Sequence, residues 1–304
     1  MAIQPKLGMT AQNDDFNHLD TAGRGAAAVA SNPRWATVGV LAVAVLLAWG
    51  LLAAMAIRGA EGAISGGPGD ELLLRLPPLP VPGFFERFVA LCLSPAPAGS
   101  GAGAEFAALF LMWLLMAVAT MLPSAAPMIR TYCEIADTAA AKGEPAVHPL
   151  ILVAGYLTSW CLGAAAFAGL TMAVQLLAPA QEHVAPVNAL AGAAALSIAG
   201  LYQFSRLKDA CLTKCRNPFS ILFARWSAKP SQIVRLGTEQ GLWCLGCCWA
   251  LMLVMFAVGI TNLFWMALIG VFGLVEKQAG GRKASRVAGT ILLVWAAALL
   301  VVSV

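Results

Sequence analysis

The chain has 304 residues, of which 60% are hydrophobic and 11% are charged, and its formal net charge is +4 at pH 7. Soluble globular domains carry about a quarter charged residues, so this composition excludes a soluble domain. We expect an all-α, polytopic bundle of transmembrane helices. Its predicted partner is the lipid bilayer and not nucleic acid.

The first 104 residues divide into three segments. Residues 1–34 are polar and rich in Gly and Ala, which predicts a disordered cytoplasmic tail. Residues 35–57 form an apolar run of the length needed to cross a bilayer, and they predict a first transmembrane anchor. A cleaved signal peptide is the competing interpretation, but the preceding segment is too long and acidic for one. Residues 58–104 are rich in Gly and Pro and predict a long external loop.

Residues 105–304 are predicted to form the membrane helix bundle. Its apolar run from 241 to 276 is too long for one crossing, so we expect the chain to turn at Gly259–Asn262. With the anchor, the apolar segments predict about seven spans. The six spans after the anchor are predicted at residues 105–122, 150–178, 187–204, 242–258, 263–275 and 287–304.

The basic residues predict the orientation of this bundle. With seven spans and a cytoplasmic N-terminus, all but three of the 19 Lys and Arg residues lie on the inner side. The exceptions are Arg58, Arg75 and Arg87. This asymmetry follows the positive-inside rule. It favours seven spans over six, because six would place the two most basic loops on opposite sides.

Two short segments contain five of the eight cysteines. In each segment two cysteines are four residues apart, which places both on one face of a helix. In the second segment a methionine continues that face. Thiolate and thioether groups are soft ligands that suit Cu(I); a zinc site is possible, although the spacing is not the paired C-x-x-C usual for one. The candidate metal ligands are Cys211, Cys215, Cys244, Cys247, Cys248 and Met252.

Two methionines of the predicted second span are candidate secondary ligands. Met112 and Met116 are four residues apart and therefore share a helical face. Methionine is more often a flexible filler of cores than a ligand, so the packing interpretation stays open. As ligands, the two thioethers would pass a Cu(I) ion to or from the cysteines.

Charged residues surround the cysteine segments. Lys208, Lys214 and Arg216 flank the first cysteine pair, and we expect these cations to lower the pKa of both thiols. Glu276 and Lys277 end a predicted span. We expect them to form a solvated pair at the membrane boundary.

Three sequence blocks resemble a known bacterial family. They are MWLLMAVATMLPSAAP (112–127), YQFSRLKDACLTKCRNP (202–218) and GLWCLGCCWALM with the following GITNLFWM (241–266). Together with Glu276-Lys277 they resemble the predicted metal-binding integral membrane proteins, domain of unknown function 2182, over about residues 105–277. One departure is Thr120, where the family pattern predicts a methionine.

The resemblance implies a multi-pass protein of the bacterial inner (plasma) membrane with a metal site. It implies roles for the following residues: Met112, Met116, Met121, Lys208, Cys211, Cys215, Cys244, Cys247 and Cys248. Acids within the predicted spans are nearly absent, which argues against a proton-coupled pump.

The leading functional interpretation is a membrane protein that binds a soft metal ion, foremost Cu(I), for metal handling, delivery or homeostasis. A metallochaperone or a metalloenzyme would be its partner. Two alternatives stay open. One is a membrane thiol–disulfide oxidoreductase that uses Cys244-x-x-Cys247. The other is a structural subunit of a larger membrane complex, in which case the cysteines are small apolar residues. No motif of a known catalytic class is present, so an enzyme is not favoured.

Overall fold

The computed structural model describes residues 33–62, 83, 86, 101–177, 189–260, 262–278 and 280–303. Within these residues every regular element is a helix, which confirms the all-α prediction. The predicted tail, most of the predicted external loop and Cys92 lie outside the described residues. The helices are α1 (Pro33–Gly62), α2 (Ala102–Ser124), α3 (Ala126–Ala141), α4 (Pro149–Leu177), α5 (Ala189–Tyr202), α6 (Arg206–Arg216), α7 (Pro218–Ala224), α8 (Pro230–Met252), α9 (Val254–Val258), α10 (Leu263–Gln278) and α11 (Lys283–Ser303).

Five helical segments of the described chain are long and apolar enough to cross a membrane. They are α1, α2, α4, α8 continued by α9, and α11. The other two predicted spans correspond to α5 and α10, with 14 and 16 residues. At 1.5 Å per residue these helices are about 21 and 24 Å long, shorter than the roughly 30 Å hydrocarbon core. The count of seven spans and the cytoplasmic N-terminus therefore stay predictions.

Large apolar side chains cover the outside of the long helices. Leu46 on α1, Leu162 on α4 and Val301 on α11 are 70%, 63% and 78% exposed. Contiguous apolar surface of this kind is rare on soluble monomers. In a bilayer these side chains face lipid tails, while the backbone of each helix satisfies its own hydrogen bonds. The surface is thus that of a membrane protein.

The chain turns between α9 and α10, at the position predicted from the sequence. Gly259 has φ of 97°, a left-handed conformation that favours glycine. The side chain of Asn262 then accepts a hydrogen bond from the backbone N–H of Trp265 and begins α10. Beyond the far end of α10, Arg282 forms an ion pair of 2.6 Å with Asp209 of α6. Helix α10 therefore returns to the end of the bundle where α6 lies.

Helices α4 and α8 pack with their backbones in direct contact. A Cβ atom at Gly237 would lie 2.1 Å from the carbonyl oxygen of Leu152, and one at Gly241 would lie 2.6 Å from that of Tyr156. Small residues permit such close approach between membrane helices. Because Cys244 lies about one turn after Gly241 on α8, this contact holds the cysteine segment against α4.

The basic segment between the fourth and fifth predicted spans contains its own helix. Helix α6 begins after Ser205, whose hydroxyl accepts a hydrogen bond of 3.0 Å from the backbone N–H of Lys208. Asp209 in the first turn and the basic residues of the last turn suit the helix dipole. Helix α6 packs against α8. This packing places the first cysteine pair, Cys211 and Cys215, next to the second cysteine segment on α8.

Candidate metal centre

Three cysteines on one turn of α8 form a buried cluster. The sulfur atoms of Cys244, Cys247 and Cys248 all lie within 4.8 Å of one another, and each residue is at most 2% exposed. Their spacing of three and four residues places them on one helical face. Within the described chain, no other group of three or more Cys, His, Asp or Glu residues has its donor atoms this close together in a geometry suited to one ion.

Helix α6 adds sulfur atoms to this cluster. The Sγ atom of Cys215 lies 4.0 Å from the Sγ atom of Cys247. Cys211 packs against Gly246 of α8, since a Cβ atom there would lie only 2.7 Å from the Cys211 sulfur. The glycine therefore leaves room for α6 beside the cluster. The structure thus brings the two cysteine segments together.

Lys277 lies beside the cluster. Its ammonium donates hydrogen bonds to the sulfur of Cys244 at 3.0 Å and to the hydroxyl of Ser124 at 2.6 Å. The hydroxyl of Tyr156 also contacts the Cys244 sulfur at 3.0 Å, and it donates to the carbonyl of Met121. A cation next to a cysteine sulfur stabilises the thiolate. The expectation that Lys277 belongs to a solvated boundary pair is wrong, because α10 packs this side chain onto the cysteines.

Glu276 is buried, so the second half of that expectation is also wrong. Its carboxylate forms an ion pair of 2.9 Å with Lys208, and the two side chains are 1% and 0% exposed. Ser285 donates a hydrogen bond to the same carboxylate oxygen, and Arg216 donates to the Glu276 backbone carbonyl. These contacts join α6, α10 and α11. They also hold the end of α10 in place, and with it Lys277.

The expected effect of the basic residues on the thiols of α6 is not found at Cys211. Burial raises the pKa of the Cys211 thiol above its ordinary value. Two of the three flanking cations have other partners, since Lys208 pairs with Glu276 and Arg216 binds the Glu276 carbonyl. Cys211 is therefore a packed thiol beside the cluster.

A cavity of about 270 Å³ opens onto one side of the cluster. It reaches Cys244 and Cys215, and the cations Lys277 and Arg216 also line it. No acidic residue is among the described residues that line it. The remaining lining residues are Ser124, Ala125, Pro127, Met128, Tyr156, Pro218, Gln240, Leu274 and Gln278.

The arrangement fits a soft metal ion. Metal–thiolate bonds are about 2.3 Å long in zinc sites, so two sulfurs on one ion can be separated by at most about 4.6 Å. The three sulfurs of α8, all within 4.8 Å of one another, are close to that limit before any adjustment. Cys215 places a fourth sulfur 4.0 Å from that of Cys247. A set of thiolates without oxygen or imidazole donors favours Cu(I) and also accommodates zinc.

The predicted methionine ligands lie at different distances from the cluster. Met252 is buried one helical turn beyond Cys248 on α8. Met112 and Met116 are buried in α2, but they precede Ser124 by twelve and eight residues, or about 18 and 12 Å of helix. A role for them in copper transfer stays a prediction, at a separate position along α2.

Three residues of the site were not singled out from the sequence. Tyr156 lies inside a predicted span and Ser124 lies two residues after one, and a hydroxyl in apolar surroundings needs a partner. Gly246 interrupts the three cysteines of α8. These sequence features mark the three residues as unusual, but they do not indicate which atoms the residues contact. Only the packing of α2, α4, α6 and α10 around α8 shows which atoms they contact.

The described chain is a helical membrane protein with a buried thiol cluster suited to a soft metal. A family model described as PpoB2, copper chaperone, matches residues 110–299, more than half of the chain. The chain therefore belongs to this copper chaperone family. The match includes both cysteine segments and Lys277. No curated protein and no solved structure matches the chain.

Proposed function

We propose that this protein binds Cu(I) through Cys244, Cys247 and Cys248, with Cys215 as an additional ligand, and passes the ion to a copper-dependent enzyme or to another metallochaperone. The bacterial inner membrane is the proposed location. The observation that carries the proposal is the buried cluster of three sulfurs within 4.8 Å of one another. Membership of a copper chaperone family supports copper over other soft metals.

The surroundings of the cluster suit a monovalent ion. Cu(I) on two or three thiolates leaves a net negative charge, which is costly in a low-dielectric environment. The ammonium of Lys277, 3.0 Å from the Cys244 sulfur, offsets part of that charge. Cys215 lies on α6 and the other three sulfurs lie on α8. This division also suits release of the copper ion, because a small movement of α6 would withdraw one ligand from it.

Copper binding by cysteine variants tests this proposal. Protein purified anaerobically in detergent is titrated with Cu(I) in competition with a chromophoric Cu(I) chelator. Cys248→Ala should lower the affinity for Cu(I) by at least about tenfold, because one of the three closest sulfurs is removed. Cys161→Ala is the matched control, since this half-buried cysteine of α4 is not part of the cluster. Equal affinity of the two variants would contradict the proposed site.

The thiol–disulfide oxidoreductase is the alternative, and the separation of 4.0 Å between the Cys215 and Cys247 sulfurs is the observation in its favour. Alkylation of the thiols separates the two functions. A copper site should be protected from a thiol-alkylating reagent by one equivalent of Cu(I). A redox enzyme should instead lose alkylation after a mild disulfide oxidant, regain it after a dithiol reductant, and show no protection by copper.

A further inference from the structure

The cavity beside the cluster has a charge that does not suit a bare copper ion. Two cations, Lys277 and Arg216, line it, and no described lining residue is acidic. Clefts lined by one sign of charge attract ligands of the opposite sign and raise their association rates by about 10- to 1,000-fold. With the Cys244 thiolate compensating Lys277, the guanidinium of Arg216 leaves the cavity wall positive, so the cavity favours an anion over free Cu⁺.

The cavity also contains an unused hydrogen-bond donor. Gln240 lines it and is only 4% exposed, yet its Nε2 atom has no hydrogen-bond partner among the described residues. A buried donor without a partner costs about 1–3 kcal/mol. Gln240 lies one helical turn before Cys244, on the same face of α8. An acceptor group placed beside the cations of the cavity would satisfy it.

The size of the cavity limits what can enter. Pockets for drug-sized molecules have volumes of about 300–1,000 Å³, and this one measures about 270 Å³. It accommodates a compact molecule and not the surface of a folded protein. A ligand in it would lie against the sulfurs of Cys244 and Cys215.

We infer that the cavity is an entry site for a small anionic Cu(I) complex, in which the ion is carried by a low-molecular-weight thiol with carboxylate groups. This inference rests on the proposed copper function. The carboxylates of the carrier pair with Arg216 and with the amide of Gln240, which brings its copper–sulfur bond next to Cys244. Lys277 compensates the negative charge of the complex.

Transfer from such a carrier is a ligand exchange. A bond forms between copper and the sulfur of Cys244 as a bond between copper and the carrier sulfur breaks. Copper stays in the +1 state throughout, so no oxidant or reductant is needed. Cys244 enters as the thiolate that Lys277 stabilises, and the carrier sulfur departs as a thiolate, so no proton is transferred. Cys247, Cys248 or Cys215 then supplies a further sulfur to the transferred ion.

Loading rates with two copper donors test the inference. Purified protein is loaded either from the anionic Cu(I)–glutathione complex or from the cationic Cu(I)–acetonitrile complex. Gln240→Glu places a negative charge in the cavity with little change of shape. We expect the ratio of the glutathione rate to the acetonitrile rate to fall by about tenfold relative to the unaltered protein.

Two further variants complete the test. Gln278→Glu makes the same charge change at an exposed position of the cavity wall, where folding is not at risk, and should lower the ratio in the same direction. Gln232→Glu is the matched control, because this exposed residue of α8 does not line the cavity. An unchanged ratio in Gln278→Glu and in folded Gln240→Glu would overturn the inference and leave the copper function standing. A protein that takes copper from neither donor would instead contradict the copper function itself.

Discussion

The contact between Lys277 and Cys244 determines the electrostatics of the thiol cluster. The ammonium lies 3.0 Å from the sulfur, and Ser124 and Tyr156 provide the other polar atoms around it. Charge-assisted hydrogen bonds contribute more than neutral ones, about 1.5–3 kcal/mol. Lys277 is thus placed to position the sulfurs and to balance their charge, and the sulfurs are the proposed metal ligands.

Replacing this lysine should weaken copper binding. We expect Lys277→Met to lower the affinity for Cu(I) by about tenfold, because the thiolates lose the nearby positive charge. Competition with a chromophoric Cu(I) chelator measures the change. Lys277→Arg keeps the charge and should retain most of the affinity. If the Met and Arg variants bind copper equally well, the charge of Lys277 has no role in binding.

At the scale of the helices, α4 and α8 pack very closely. Gly155, Gly237 and Gly241 have no room for a Cβ atom, since each would meet a backbone carbonyl of the opposite helix at 2.6 Å or less. Because rigid backbone atoms form the obstacle, the helices themselves must separate to admit a side chain. The cysteine cluster follows on α8 and would move with it.

We therefore expect Gly237→Ala to destabilise the protein by about 1–3 kcal/mol, as overpacking does in cores. Thermal unfolding in detergent measures this as a lower Tm. Gly169→Ala is the control, because a Cβ atom there meets nothing within 4 Å. In a helix, alanine is otherwise favoured over glycine. If the two variants have equal Tm values, a methyl group at Gly237 does not destabilise the contact between α4 and α8, and the prediction is wrong.

The ion pair between Lys208 and Glu276 connects α6 to α10. With both side chains at most 1% exposed, removing one partner leaves a buried charge without compensation, at a cost of about 3–5 kcal/mol. Lys208→Met should therefore lower the Tm strongly. Adding Glu276→Gln to it should recover part of the loss, because the buried charge is gone. If the double variant is no more stable than Lys208→Met alone, the unpaired charge of Glu276 is not the cause of the lost stability.

At the scale of the whole molecule, the ion pair between Arg282 and Asp209 shows that the connections before α6 and after α10 share one end of the bundle. From the positive-inside rule we expect this basic end in the cytoplasm. In that orientation α8 with α9 would lead away from the cytoplasmic side and α10 would lead back to it, although α10 is short for a full crossing.

Insertion of alkaline phosphatase, which is active only outside the cytoplasm, tests this arrangement. Insertions after Ser227 and after Arg282 of the full chain should both be inactive, since both positions belong to the basic end. An insertion after Val304 should be active if α11 crosses the membrane, as seven spans require. Activity at one of the first two positions and not at the other would contradict the shared end.

Much of this protein follows from local sequence pattern. The class of all-α membrane protein follows from the apolar runs and the scarcity of charge. The shared face of Cys244 and Cys248 follows from helical spacing alone, because a helix determines the direction of its own side chains. The turn at Gly259–Asn262 was also predictable, since glycine there permits a left-handed backbone.

Only the tertiary structure decided which groups surround the cysteines. Glu276 and Lys277 lie at a helix end, where the sequence pattern does not distinguish a side chain in water from one against another helix. The packing of α10 on α2 and α6 buries Glu276 with Lys208 and directs Lys277 to Cys244. Such contacts join residues far apart in the chain, so they depend on how helices pack and not on the periodicity of any one helix.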